Sequence, residues 1–218
     1  MQRQKESGVM QAVEWVIRVM AENAVENEDY FSDLDAVVGD GDFGHSLARG
    51  FEAVLETLDE SNEQSPGALL RKIGMVLMAK VGGTSGPIWG TAFMRAGSVA
   101  GEKNELTDAD VIAMLHAGID GICERGGASI GDKTLLDALI PATTTLGARL
   151  SRGEEWDRAL AATAIAARTA ADATRDLIAR RGRASYTGER SLGTLDAGAV
   201  AVASMFERLA ERWPLEGK

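Results

Sequence analysis

Apolar residues recur at three- and four-residue spacings along nearly the whole chain, and most runs end in a glycine-containing connector. That period fits one face of an α-helix and conflicts with the two-residue alternation of a β-strand. Val9, Val13, Val16, Ile17 and Met20 form the first stripe, within residues 9–26, and Tyr30, Leu34 and Val38 form a short second one within 27–38. Further helical runs are expected at 46–58, 66–79, 85–99, 107–125, 135–150, 154–180 and 195–213. Ser85 reads as the N-cap of the run at 85–99, with Pro87 in its first turn, and Thr107 with Asp110 as a capping signal. Pro141 is expected to kink its helix. No alternating stretch and no shift in composition divides the chain. The expectation is one all-α domain, residues 1–218, of about eight helices. Antiparallel helices put alternate connectors at the same end, so the loops at 39–45, 82–86, 126–133 and 182–194 are expected on one rim.

Charge and cysteine usage narrow the function. With 23 Lys and Arg against 33 Asp and Glu, the net charge is −10. Nucleic acid and anionic membrane demand a basic face, so neither is an expected partner. A polyanionic small substrate would need a metal ion or local arginine. The single Cys123 excludes an internal disulfide, and MQRQKESGVM lacks the apolar core of a secretory signal, which makes a cytoplasmic location the expectation.

The expected rim holds the chemistry-bearing residues. Asp35, Asp40 and Asp42 fall within eight residues, with Gly39, Gly41 and Gly44 interleaved. Three carboxylates on so pliable a backbone can fold around a hard cation, or stand in an exposed acidic turn, and spacing alone leaves both readings open. An EF-hand does not fit, because the closing Glu is missing. The G-x-G-x-x-G formed by the same glycines lacks the strand a dinucleotide fold needs. GGTSG at 82–86, just ahead of a helix, suits either a phosphate cradle or a plain turn. The GDKT at 131–134 only approximates a Walker A loop, since Asp132 separates glycine from lysine. Arg181, Arg183 and Arg190 around Tyr186 read as a phosphate-facing patch or a solvated loop. His45 reads as a ligand or a helix cap, His116 as structural, and Met75, Met78, Met94 and Met114 as core.

Taken together, LDAVVGDGDFGHSLARGF, GGTSGPIWGTAF, GDKTLLDAL and RASYTGERSLGTLDAGA resemble, in order and spacing, the nucleotide-binding L subunit of dihydroxyacetone kinases. The resemblance spans nearly the whole chain. It implies a barrel of eight antiparallel amphipathic helices with ADP or ATP at one rim. Asp35, Asp40 and Asp42 match the aspartates that hold two Mg²⁺ ions on the nucleotide phosphates. Phe43, Gly44, His45 and Ser46 would lie against the nucleotide, with Thr84 and Ser85 at the phosphates and Gly126 and Leu135 on the adenine and ribose side. Arg183, Asp196, Ala197 and Gly198 match the remaining contacts, and Arg183 is the expected catalytic cation.

The resemblance also implies partners: a K subunit carrying a small hydroxy-ketone and, in some members, a phosphotransferase-system phosphoryl donor that recharges a resident ADP. It leaves a homodimer open. Phe43 stands where the family has His or Thr, Ser46 where it has Asn, and Ala197 where it has Pro. These departures leave room for dihydroxyacetone or a four-carbon ketose such as erythrulose. Two neighbouring roles also remain: an L-type domain of a fatty-acid kinase, and a non-enzymatic nucleotide-sensing partner of a transcription regulator.

Overall fold

The structure is a computed structural model that describes residues 2–213, with side chains from residue 8 onward. Met1 and residues 214–218, which belong to the expected 1–218 domain, lie outside the described residues. Among the described residues nine α-helices follow in order: α1 Gln2–Glu26, α2 Glu28–Ala36, α3 Phe43–Asp59, α4 Pro66–Lys80, α5 Ser85–Ala100, α6 Asp108–Gly126, α7 Leu136–Leu150, α8 Trp156–Ala173 and α9 Ala197–Arg212. No strand occurs among the described residues. Several helix starts are written in the sequence. Ser65 caps α4, its hydroxyl accepting from the Ala68 amide with Pro66 behind it, and Thr107 with Asp110 forms a complete capping box on α6.

Contacts pass from α1 to α3, then through α4, α5, α6, α7 and α8 to α9, and back to α1. Eight long helices thus close on themselves as a barrel, while the short α2 packs against α3 and α9. The interior is filled by side chains. Phe51 and Trp89 meet edge to face at 6.0 Å, and Leu47, Val54, Ile73, Leu77 and Val200 are fully enclosed around them. Residues 199–203 of α9 are all buried, and all five are alanine or valine, small enough for close helix approach.

Glycines let α4 and α5 approach closely too. A Cβ added at Gly74 would lie 2.7 Å from the Gly90 carbonyl, and one at Gly90 would lie 2.5 Å from the Gly74 carbonyl. Gly67 meets Gly97 and Gly101 in the same way one end along. Here glycine serves helix crossing rather than turning.

Several boundaries differ from the sequence expectation. The helix expected from Ser46 starts at Phe43, so only residues 37–42 form the turn. Thr84, not Ser85, is the N-cap of α5, and it makes no side-chain cap bond. Pro141 lies inside α7, which runs on to Leu150. The alanine-rich run stops at Ala173 rather than 180, because the Thr174 hydroxyl donates to the Ala171 carbonyl and also accepts from the Asp196 amide, turning the chain. Residues 183–191, expected as open loop, form 3₁₀ turns interrupted at Gly188. Met75 and His116 are exposed on their helices.

Candidate functional site

A cleft of about 550 Å³ opens at one end of the barrel, a volume suited to a nucleotide-sized ligand. All four loops expected on one rim contribute to it: Asp40 and Asp42, Gly82 to Ser85, Gly126, Ala128 and Lys133, and Arg181 to Ala184. Because the barrel helices alternate, the N-termini of α3, α5, α7 and α9 all reach this cleft, through Phe43, Ser85, Leu135 and Ala197. Their aligned dipoles favour an anion. Asp35, Asp40 and Asp42 line the same cleft, so it combines an anion-attracting floor with a carboxylate wall. A metal-bound phosphate ligand satisfies both signs at once.

Asp35 shows why the wall favours a cation. The main-chain amides of Phe43 and Gly41 bond its carboxylate, tying the end of α2 to the start of α3. Burial nevertheless pushes its pKa above the ordinary carboxylate value, and nearby Asp40 pushes in the same direction. Gly41 takes φ 74°, open to glycine and strained for other residues, and a Cβ on Gly39 would fall 2.3 Å from the Asp35 carboxylate oxygen. Among the described residues, no three His, Cys, Asp or Glu side chains converge into a ready-made metal cage. Mg²⁺ prefers one or two carboxylates completed by waters and substrate phosphates, so an all-oxygen wall of this kind fits it. Asp40 is instead engaged by the Arg183 guanidinium, which donates to it across the mouth.

The other expected contact residues divide. Phe43, Ser46, Thr84, Ser85, Gly126, Leu135, Arg183, Asp196, Ala197 and Gly198 all line the cleft. Gly44 and His45 are not part of its lining. A Cβ at Gly44 would meet the Glu28 carbonyl at 2.0 Å, so this glycine lets α3 cross α2, and the His45 ring is held outside by Glu28, which raises its pKa. Ser46 accepts the Gly82 amide at 2.6 Å and anchors the 82–86 turn against α3. Of the arginine patch, Arg183 and Arg181 face the cleft, while Arg190 lies outside the lining and Tyr186 is 90% exposed. Arg181 is bound to Asp132 at 3.2 Å.

Sequence reasoning passed over Arg125 and Lys133, which also line the cleft. The near-Walker GDKT was the available signal for Lys133. Asp137 holds that loop in shape by accepting the Gly131 and Thr134 amides.

Asp196 caps α9 by accepting the Ala199 amide at 2.7 Å. Burial, reinforced by Asp137 and Asp35, pushes its pKa from 3.8 up to about 7, against the opposing pull of that amide and of Lys133. A carboxyl whose folded pKa is raised binds its proton more tightly in the native state, so the metal-free protein should lose stability as pH rises from about 4 to 7. Asp196→Asn keeps the cap acceptor and removes the charge. In EDTA its thermal midpoint should exceed wild type at pH 8 and converge with it near pH 4. A midpoint difference that does not change with pH would contradict this assignment of the charge.

Comparison with known proteins agrees with the geometry. The DAK2 domain family matches residues 37–211. The chain is 38% identical over 200 residues to the PEP-dependent dihydroxyacetone kinase ADP-binding subunit DhaL of Escherichia coli, covering 92% of this chain and 95% of that one. It is 37% identical to the D-erythrulose kinase of Mycolicibacterium smegmatis, over 88% of this chain but only 33% of the relative. The crystal structure of the dihydroxyacetone kinase from C. freundii in complex with AMP-PNP and Mg²⁺ superposes with a TM-score of 0.71 at 28% identity, covering 92% of this chain and 34% of that one. The chain therefore spans about a third of the longer kinases and nearly the full length of the L subunits. With the all-α barrel, the rim cleft and these matches in agreement, the chain belongs to the DAK2 domain family and, within it, to the L-type subunits of dihydroxyacetone kinases.

Proposed function

We propose that this chain binds ADP or ATP through Mg²⁺ in the rim cleft and passes a phosphoryl group to a small hydroxy-ketone, dihydroxyacetone or a four-carbon ketose such as erythrulose, held on a separate K subunit. One observation carries the reading: four helix N-termini and three aspartates line one cleft of nucleotide size. Similarity to a subunit described as ADP-binding and to a kinase crystallised with AMP-PNP and Mg²⁺ supports the ligand. Similarity to erythrulose kinases keeps the four-carbon ketose alongside dihydroxyacetone. Relatives described as PEP-dependent and PTS-dependent support a phosphotransferase-system protein as the phosphoryl donor that recharges ADP.

Asp35, Asp40 and Asp42 would hold the metal, with two ions expected from the family resemblance. Bound there, Mg²⁺ would neutralise phosphate oxygens and orient the transferred group. The chain supplies the rest by placement. The 82–86 turn, fixed by Ser46, presents main-chain amides at the N-terminus of α5 for phosphate oxygens. Leu34, Val38, Ile88 and Leu135 offer an apolar wall for the base. No nucleophile of this chain is required, because the attacking hydroxyl belongs to the ketose. Val37, Ile130, Tyr186 and Leu192 are exposed apolar side chains on the connectors that frame the cleft or the segment over it, which supports contact of this end with a protein partner.

Arg183 reaches across the mouth and would meet charge developing on the transferred phosphoryl. An interaction made mainly in the transition state alters turnover more than affinity. Arg183→Ala should lower kcat about 30-fold with a K subunit while changing Mg²⁺·nucleotide affinity less than about threefold. Steady-state assays paired with calorimetric titration check this; equal losses in both would confine Arg183 to ground-state binding.

A further inference from the structure

Lys133 sits at φ 61°, the one non-glycine residue with positive φ among the described residues. A long side chain is uncommon there and strained, so its placement calls for compensation. Lys133 is only 2% exposed, and its Nζ donates to the main-chain carbonyls of Leu177 at 3.1 Å, Ser191, and Thr194 at 2.7 Å. An ammonium has three protons, and all three are used. This separates Lys133 from the lysine of a Walker loop, which reaches phosphate.

The acceptors come from both ends of one segment. Leu177 lies where the chain leaves α8, and Ser191 and Thr194 lie where it returns toward α9. The segment closes its own neck as well, with the Ala179 amide donating to Ser191 Oγ at 2.9 Å and the Gly193 amide to the Arg175 carbonyl at 2.7 Å. Asp132, beside Lys133, grips the same segment from outside. Its carbonyl accepts the Arg180 amide at 3.0 Å and its carboxylate accepts Arg181 Nε at 3.2 Å. Two residues further on, Arg183 reaches Asp40 across the cleft.

We propose that Lys133 is a positioning residue: together with Asp132 it cinches residues 177–194 so that Arg183 is held over the cleft. The inference rests on the role given to Arg183 above. A segment of this length with an open neck would let the guanidinium sample many positions, and fixing both ends removes most of that freedom.

The test uses Lys133→Met, which removes the three donors and keeps the apolar stem, alone and combined with Arg183→Ala. Trypsin should cleave after Arg181, Arg183 and Arg190 at least about tenfold faster in Lys133→Met at unchanged far-ultraviolet circular dichroism. With a K subunit, kcat should fall about tenfold while Mg²⁺·nucleotide affinity stays within about threefold, and the same substitution in the Arg183→Ala background should cost less than about twofold. Unchanged cleavage, or losses that simply multiply in the double variant, would overturn the proposal.

If Lys133→Met does not fold, Asp132→Asn replaces it; faster cleavage and the same dependence on Arg183 are expected, and wild-type behaviour in either overturns the proposal. Should no K subunit give turnover with the wild-type chain, the functional reading fails, while the cleavage comparison still decides whether Lys133 holds the segment.

Discussion

Asp40→Asn is expected to weaken Mg²⁺·ADP binding by more than about 100-fold while leaving helical content unchanged. The aspartate stands in the 37–42 turn between α2 and α3, exposed at the cleft wall, so no packing depends on its charge. Its recorded partner is Arg183, a contact between exposed groups whose loss matters little for stability. An amide keeps the shape and removes the negative charge that would hold the cation. Relief of repulsion should also let the Asp35 carboxyl ionise more readily, because Asp40 is one cause of its raised pKa. Titration calorimetry in Mg²⁺ and in EDTA checks the prediction. Wild-type affinity in the variant would remove Asp40 from the metal site, whereas a variant equally weak in both media matches the account.

Gly90→Val should destabilise the protein by about 3 kcal/mol or more, enough to lower the thermal midpoint by roughly 10 °C in a chain of this size. The added Cβ would lie 2.3 Å from Met78 Cγ and 2.5 Å from the Gly74 carbonyl. The methionine end can move, but the carbonyl belongs to α4, so the two helices must separate and loosen the packing around Trp89. Gly147→Ala in α7 is the matched control. Its nearest neighbour would be Ile112 at 3.5 Å, ordinary contact, and alanine favours helix over glycine, so this variant should hold or gain stability. Thermal melts of the two variants decide whether the α4–α5 crossing or glycine content as such sets the stability. Equal midpoints would place the constraint elsewhere.

These glycines mark the limit of what the sequence discloses. Periodicity reads side chains, so the apolar stripes located the helices, and the Thr107 cap fixed one start closely. Gly67, Gly74, Gly90 and Gly97 have no side chain to enter a stripe, and their role appears only when α4 and α5 lie together. The same distinction holds at the cleft. Asp35, Asp40 and Asp42 were legible because carboxylates with glycine between them are a local pattern. Lys133 was not, because its three acceptors are main-chain carbonyls 44 to 61 residues away, which carry no residue-type signature. Gly44 and His45 sit inside the recognised motif, yet serve the α2–α3 contact from the far side of the helix. The alternation that turns four helix N-termini toward one cleft follows from topology, and was legible as the expectation that the four connectors share one rim.

The central claim is that the rim cleft binds nucleotide through Mg²⁺. The most direct measurement is titration of the wild-type chain with ADP, after dialysis against EDTA to remove any resident nucleotide, in buffer containing Mg²⁺ and again in EDTA. The account predicts one ADP bound per chain in Mg²⁺ and at least about 100-fold weaker binding in EDTA. Absence of binding in Mg²⁺, or equal affinity in the two buffers, would contradict it.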